Sequence, residues 1–188
     1  YVEKFIGVSG EPLNLPHLPD SEFLPAMELN CVEKELRNSI AKNYSNRFLT
    51  IGRVAHITKG SKDGAGRNAC QYRNRCDRGC PFGSYFSSNS STLPVAEKTG
   101  NLTLRTDSIV TNIIYNDETK KATGVRVVDA HTKKISKFNA KVVFLCASSM
   151  ASTAILLNSK SNRFPDGLGN DSGELGHNIM DHQLGSGA

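Results

Sequence analysis

Three cysteines, Cys70, Cys76 and Cys80, stand as C-x5-C-x3-C in a loop rich in glycine and arginine. Thiolates this close in sequence can bind zinc, hold an iron–sulfur cluster or pair as disulfides. Zinc takes four Cys or His ligands, usually in tightly spaced pairs, and here the second pair is missing unless His56 supplies a ligand. A structural or disulfide role is favoured, with zinc at Cys70, Cys76 and Cys80 as the alternative and an iron–sulfur cluster behind it. Cys31 and Cys146 fall among apolar residues and read as core, and an odd total of five leaves at least one thiol unpaired.

A second candidate lies where an apolar run meets a helix. Val142-Val-Phe-Leu-Cys-Ala147 is apolar without alternation, the pattern of a strand buried on both faces of a parallel sheet. A helix is expected over 152–159. In open α/β sheets ligands bind beyond the carboxyl ends of the strands, where a helix N-terminus offers free N–H groups to a phosphate or other anion. Ala147, Ser148 and Ser149 occupy that junction, and a plain packing turn of small residues is the competing interpretation.

The third candidate is Leu175-Gly-His-Asn-Ile-Met-Asp-His182. His177 and His182 are five apart and share no helix face, while Asp181 is placed to orient the His182 imidazole. A zinc-protease pair needs a spacing of four with an intervening Glu and is rejected; a capped turn is the plainer alternative. No G-x-G-x-x-G occurs. Gly64-Ala65-Gly66 follows no buried strand and opens no helix, so no dinucleotide pyrophosphate loop is present.

The elements that position these residues follow from periodicity and breakers. Pro12, Pro16, Pro19 and Pro25 make 11–25 an extended connector. Leu29, Val32, Leu36 and Ile40 recur at helical spacing and predict a helix over 25–42 that buries this stripe, with Glu33, Lys34 and Arg37 pointing elsewhere. Alternation predicts a strand over 48–58, and glycines a loop over 59–68. A short helix over 91–99 stops at Gly100. Strands over 102–106, 109–115, 124–130 and 135–138 form an antiparallel meander. The tail from 160 reads as loops, with one helical turn at 178–182.

Composition narrows the function classes. With 38% hydrophobic and 22% charged residues in 188, the chain is an ordinary globular protein rather than a disordered one. The net charge of +5 is spread thinly, without the clustered basic patch or interleaved aromatics of a nucleic-acid binder. The longest apolar run is too short to cross a bilayer. The chain opens at Tyr1 without a Met or secretory pattern. It therefore reads as an internal fragment, with the compartment open between cytoplasm and periplasm.

Taken together, the three candidates resemble consecutive parts of the glucose-methanol-choline (GMC) flavoprotein family, in its branch of bacterial sugar, polyol and choline dehydrogenase-like proteins. The resemblance rests on Cys76-Asp-Arg-Gly-Cys80-Pro-Phe-Gly83, Ser87, Leu93-Pro-Val-Ala96, Asn101-Leu102 and Val110. Thr123-Gly-Val125, the 141–147 run, Ile155-Leu-Leu-Asn-Ser159 and the 175–182 element continue it in order. Two departures stand out: Ala147-Ser-Ser replaces the family's Ala-Gly-Ala, and His177 replaces an Arg. The resemblance implies an α/β fold class, with part of a Rossmann-like FAD-binding sheet, a β-meander, and a helix and loop from the substrate side. It implies a connector and helix over 1–47, a cysteine loop and short helix over 48–100, and part of the FAD-binding domain over 101–188. Val110 would present backbone groups to the adenine of FAD, the Ala147–Ser149 turn would approach the cofactor, and Asn178, Asp181 and His182 would complete the contacts. The family oxidises a CH–OH group of a sugar, polyol or other alcohol by hydride transfer to flavin and passes the electrons to an acceptor. Its proton-accepting His lies near the carboxyl end of the full protein, so no catalytic residue is expected here and the fragment alone is expected to be inactive.

Overall fold

The computed structural model describes residues 2–14, 19–58 and 66–180. The chain forms two compact units, Tyr1–Thr103 and Leu104–Ala188.

In the first unit a short helix, α1 (Val2–Ile6), ends at Gly7, whose φ of +78° suits a residue without a Cβ. Backbone hydrogen bonds then tie three passes of chain together. Ser9 exchanges two bonds with Val54 (2.8 and 3.0 Å), and the Leu24 N–H donates to the Val8 carbonyl (2.9 Å). Leu24, Leu29 and Ile57 are buried, and Ser9 is fully enclosed. The connector is pinned by Arg53, which donates to the Pro19 carbonyl (2.9 Å), pairs with Asp20 (3.1 Å) and lies 4.5 Å over the Phe23 ring.

The strand expected over 48–58 is reduced to two single bridges, Ser9↔Val54 and His56↔Tyr85. Its neighbours are a proline-broken connector and a loop, and neither is regular enough to extend a ladder.

Helix α2 (Cys31–Asn43) starts six residues later than the 25–42 expectation, because Asn30 caps it. The Asn30 side chain accepts from the Glu33 N–H (2.9 Å) while the Glu33 carboxylate accepts from the Asn30 N–H (2.7 Å), a reciprocal capping box. The stripe is only partly buried: Leu29, before the helix, is buried and Ile40 half-buried, but its middle is open. Val32 is 72% exposed and Leu36 49%, and no residue of α2 is buried. The anchored face is polar: Arg37 donates to the Leu49 carbonyl and to Glu11 (both 2.8 Å), and Glu11 also accepts from the Thr50 hydroxyl (2.7 Å). The Thr50 hydroxyl, and then Arg37 against a cost of burial, hold the Glu11 carboxyl below its ordinary value. That contribution is full above the ordinary carboxylate range and is lost as pH falls below it. After α2, helix α3 (Thr92–Lys98) is followed by Gly100 at φ +72°, in the left-handed conformation expected there.

The second unit is the expected meander. Strands β1 (Ser108–Asn116), β2 (Lys121–Asp129) and β3 (Ile135–Asn139) pair antiparallel in the order β1-β2-β3. Its turns are closed by side chains: Asn116 accepts from the Thr119 N–H (2.7 Å), and Asp129 accepts from the N–H groups of His131 (3.0 Å) and Thr132 (2.7 Å). Gly124 is required by close approach, since a Cβ there would collide with the Phe138 carbonyl and stand 2.9 Å from the Asn139 Cα. Residues 102–106 form no strand.

Helix α4 (Ser149–Asn158) packs on β1; Ile155 of the helix, Ile113 of β1 and Val127 of β2 are buried. Each such side chain contributes about 1.5–3 kcal/mol on leaving water. The 142–147 run before α4 is extended but is not the doubly buried strand its composition suggests. Odd-numbered residues from Val143 to Ala147 are half-buried, while Val142 (65%) and Phe144 (84%) face outward. One face rests on the unit, and among the described residues no neighbouring strand covers the other. The described part of the expected 178–182 turn is not helical, and residues 181–182 lie outside the described range.

A helix that buries nothing depends on its cap. Asn30→Ala should cost about 1 kcal/mol, read as faster amide exchange along α2 with little change in the 108–139 meander; unchanged α2 exchange would contradict it.

Candidate functional site

Three sequence-marked segments meet on α4 or on the strand beneath it. Val110 lies on β1, half-buried, immediately before Thr111, which forms a bulge because Val110 and Asn112 pair with the adjacent residues Val127 and Arg126. Bulges re-aim the backbone beside them. The Thr111 hydroxyl ties this one down by donating to the Arg126 carbonyl (3.3 Å).

The Ala147–Ser149 turn opens α4. Ser148 is its N-cap residue at φ +68°, ψ 170°, a region of backbone space that only glycine enters freely. Holding serine there costs about 1–3 kcal/mol. Ser148 stands at the position where the pattern described above has Gly, so the backbone keeps a glycine conformation although the residue has changed. Among the described residues no side chain caps α4 at this end, and Ser148 and Ser149 are exposed. The N–H groups of the first turn therefore remain available to an acceptor. The Ala147 N–H is not: it donates to the Ser152 hydroxyl (3.2 Å).

Asn178 belongs to a turn that leans on the same helix. A Cβ on Gly176 would lie 3.4 Å from Thr153 and 3.5 Å from Leu157, both on α4. Asn178 takes φ +55° and donates through its amide to Glu174 (3.3 Å). Asp181 and His182 lie outside the described residues. Sequence reasoning passed over Ser152 and Ser159, whose hydroxyls hold the two ends of α4. The available signal was spacing: a hydroxyl four residues after Ile155 can reach back to its carbonyl.

The cysteine loop builds a separate site in the first unit. Cys70, Cys76 and Cys80 line a cavity of about 260 Å³ with His56, Met27 and Phe82. His56 Nε2 is 3.3 Å from Cys76 Sγ, and its ring packs on Tyr85 with centroids 5.2 Å apart. His56, the candidate fourth ligand, thus lies beside Cys76. Burial keeps the imidazole below its ordinary value, and Nδ1 has no hydrogen-bond partner among the described residues. Burial pushes the Cys80 thiol up, but the backbone N–H groups of Tyr85, Phe82, Ser84 and Gly83 outweigh it and bring the thiol below the ordinary range. All five cysteines are free thiols, so the disulfide alternative is not realised. Cys31 and Cys146 are exposed rather than core, because no residue of α2 is buried and 142–147 has one open face. Among the described residues no three His, Cys, Asp or Glu side chains converge closely enough for a metal ion. No described helix is long and apolar enough to cross a membrane.

Comparison with known proteins adds three findings. A family model described as GMC oxidoreductase matches residues 28–184. A 2-methyl-1,2-propanediol dehydrogenase of Mycolicibacterium austroafricanum is 35% identical over 106 residues, covering 56% of this chain and 19% of that protein. A paromamine 6'-oxidase of Streptomyces fradiae is 29% identical over 133 residues, 70% of this chain and 23% of that protein. The matched segments thus span about a fifth of each relative's length.

Two predictions follow from this geometry. Ser148→Gly should raise stability by about 1 kcal/mol, the relief of strain exceeding the entropy glycine adds to the unfolded chain; a lower melting temperature would contradict it. Alkylation with iodoacetamide, followed by mass spectrometry as pH is lowered to neutrality, should persist longest at Cys80, because its thiolate survives to lower pH. Uniform loss of reactivity at all cysteines, or stoichiometric zinc or iron in the purified protein, would overturn this account of the loop.

Proposed function

The chain belongs to the GMC oxidoreductase family, and from that premise we propose that it forms the adenine-side part of an FAD site. In that role it serves an enzyme that oxidises a CH–OH group of a sugar, polyol or other alcohol by hydride transfer to flavin. Ser148 is the observation that carries this reading. A residue held in strained, glycine-favouring backbone space at a helix start without a side-chain cap leaves N–H donors open to an approaching ligand.

The donor set suits such a cofactor. Backbone N–H groups at a helix start favour anionic or polar acceptors, and the small residues Ala147, Ser148 and Ser149 let a ligand come close. In this proposal Val110, aimed by the Thr111 bulge, offers backbone groups to the adenine, and Ala147–Ser149 line the approach. Asn178, in the turn whose Gly176 rests on Thr153, is a further contact, and Asp181 and His182 are assigned to the same site. FAD, when bound, supplies the hydride acceptor. This chain's share is positioning, and the proton-accepting His with its His or Asn partner is assigned to other parts of the polypeptide.

The names of the two relatives support an alcohol substrate: one is a dehydrogenase of a diol and the other an oxidase acting at a numbered position of paromamine. They differ in the type of oxidation named, so the electron acceptor is the property to be measured first once substrate is found.

The full-length polypeptide carrying this chain should purify yellow, release FAD on denaturation, and lose its flavin absorbance anaerobically when a suitable sugar, polyol or diol is added. The 188 residues by themselves should be colourless and inactive, since they contain no G-x-G-x-x-G loop. A full-length protein without flavin would refute the reading, as would a bound flavin that no alcohol reduces.

A further inference from the structure

Helix α4 is held to the sheet by one buried hydroxyl as well as by apolar packing. Ser159, which ends the helix, is 1% exposed. Its Oγ donates to the Ile155 carbonyl inside α4 (2.6 Å) and accepts from the Ile113 N–H on β1 (2.8 Å). Ile113 lies on the outer strand of the three, where the side facing away from β2 has no ladder partner among the described residues. A serine hydroxyl has one proton and two lone pairs, so both bonds form at once and neither end is shared with water. The Ile155–Ile113 contact is apolar and fixes distance without fixing register. The hydroxyl adds direction, because sliding α4 by one residue breaks its bond to the Ile113 N–H, while the bond to the Ile155 carbonyl holds the hydroxyl aimed.

This register matters for what the two elements carry. β1 bears Val110, three residues from Ile113. α4 bears the Ala147–Ser149 turn at its other end and supports the Gly176 turn on Thr153 and Leu157. We infer that Ser159 is a positioning residue for the cofactor site: its hydroxyl locks α4 to β1, so that the Ala147–Ser149 backbone and the Val110 backbone reach one ligand together. The inference rests on the proposed FAD reading and adds to it the contact that keeps its two halves aligned. Ser159 touches no cofactor itself and acts through the elements it joins.

The test uses the full-length holoenzyme with Ser159→Ala, Ser159→Thr and, as a control for general loss of stability, Phe164→Ala. The control removes the edge-on contact of Phe164 with Tyr115, whose centroids are 5.1 Å apart, at the other end of β1. Two quantities are read: amide exchange at Ile113, and the dissociation constant of FAD from the apoprotein. Ser159→Ala should speed Ile113 exchange and weaken FAD by on the order of tenfold. Ser159→Thr, which keeps the hydroxyl, should recover most of the affinity, and Phe164→Ala should leave FAD binding within about twofold. Unchanged Ile113 exchange in Ser159→Ala would overturn the contact. Faster exchange with unchanged FAD affinity would overturn the positioning role, as would equal weakening in Phe164→Ala. A wild-type protein that binds no FAD would instead bring down the cofactor reading, and this inference with it.

Discussion

In the 104–188 unit helix α4 packs on the first strand of the three-stranded sheet. The packing of α4 on β1, with Ile155 and Ile113 both buried, is the constraint on which the rest of that unit depends. It places the start of α4, and so the Ala147–Ser149 turn, relative to β1. It also gives the loops after α4 a surface to fold against: the Leu168 N–H donates to the Leu156 carbonyl (2.9 Å), and a Cβ on Gly167 would stand 2.9 Å from the Leu157 Cα. With three large apolar side chains at its centre, the unit has little redundancy. Polar ties therefore carry an unusual share of its specificity, among them Ser159 between helix and strand and the Thr111 hydroxyl across the bulge.

Two positions in this unit, Gly124 and Ser148, acquire separate physical causes. Gly124, in the Thr123-Gly-Val125 motif, is needed because the β3 backbone passes too close for a Cβ. Ser148 stands in place of a glycine for a different reason: its backbone occupies space that strains any side-chain-bearing residue. The first constraint serves folding, since nothing but the sheet lies against Gly124. At Ser148 the strained residue opens a helix that no side chain caps among the described residues, which is why function is sought there.

The meander was legible because β-branched and apolar residues alternate along it and Asn, Asp and Gly punctuate it, so local signal and tertiary structure agree. The α4 region was legible in kind but not in bounds. Ser149-Met-Ala-Ser152 lacks the apolar periodicity that marks a helix start, and the true beginning is set by the backbone at Ser148. Apolar composition misled at 142–147 and along α2, because it reports what a face would bury and not whether a partner lies among the described residues. Val32, Leu36, Val142 and Phe144 all remain open. The convergence of His56 on the cysteines was hinted at by ligand arithmetic alone. Ser159 carried almost no signal, since a serine after an apolar helix reads as an ordinary end, and only the fold shows that Ile113 waits opposite it.

The central claim is that the chain's β1–α4 surface receives the adenine end of FAD. Photolabelling the full-length apoprotein with an FAD analogue bearing an azide on the adenine ring, and mapping the adducts by mass spectrometry, tests it most directly. The account predicts adducts clustered around Val110 and Ala147–Ser149, suppressed by excess FAD. Adducts confined to the cysteine loop, or wholly outside residues 104–180, would contradict it.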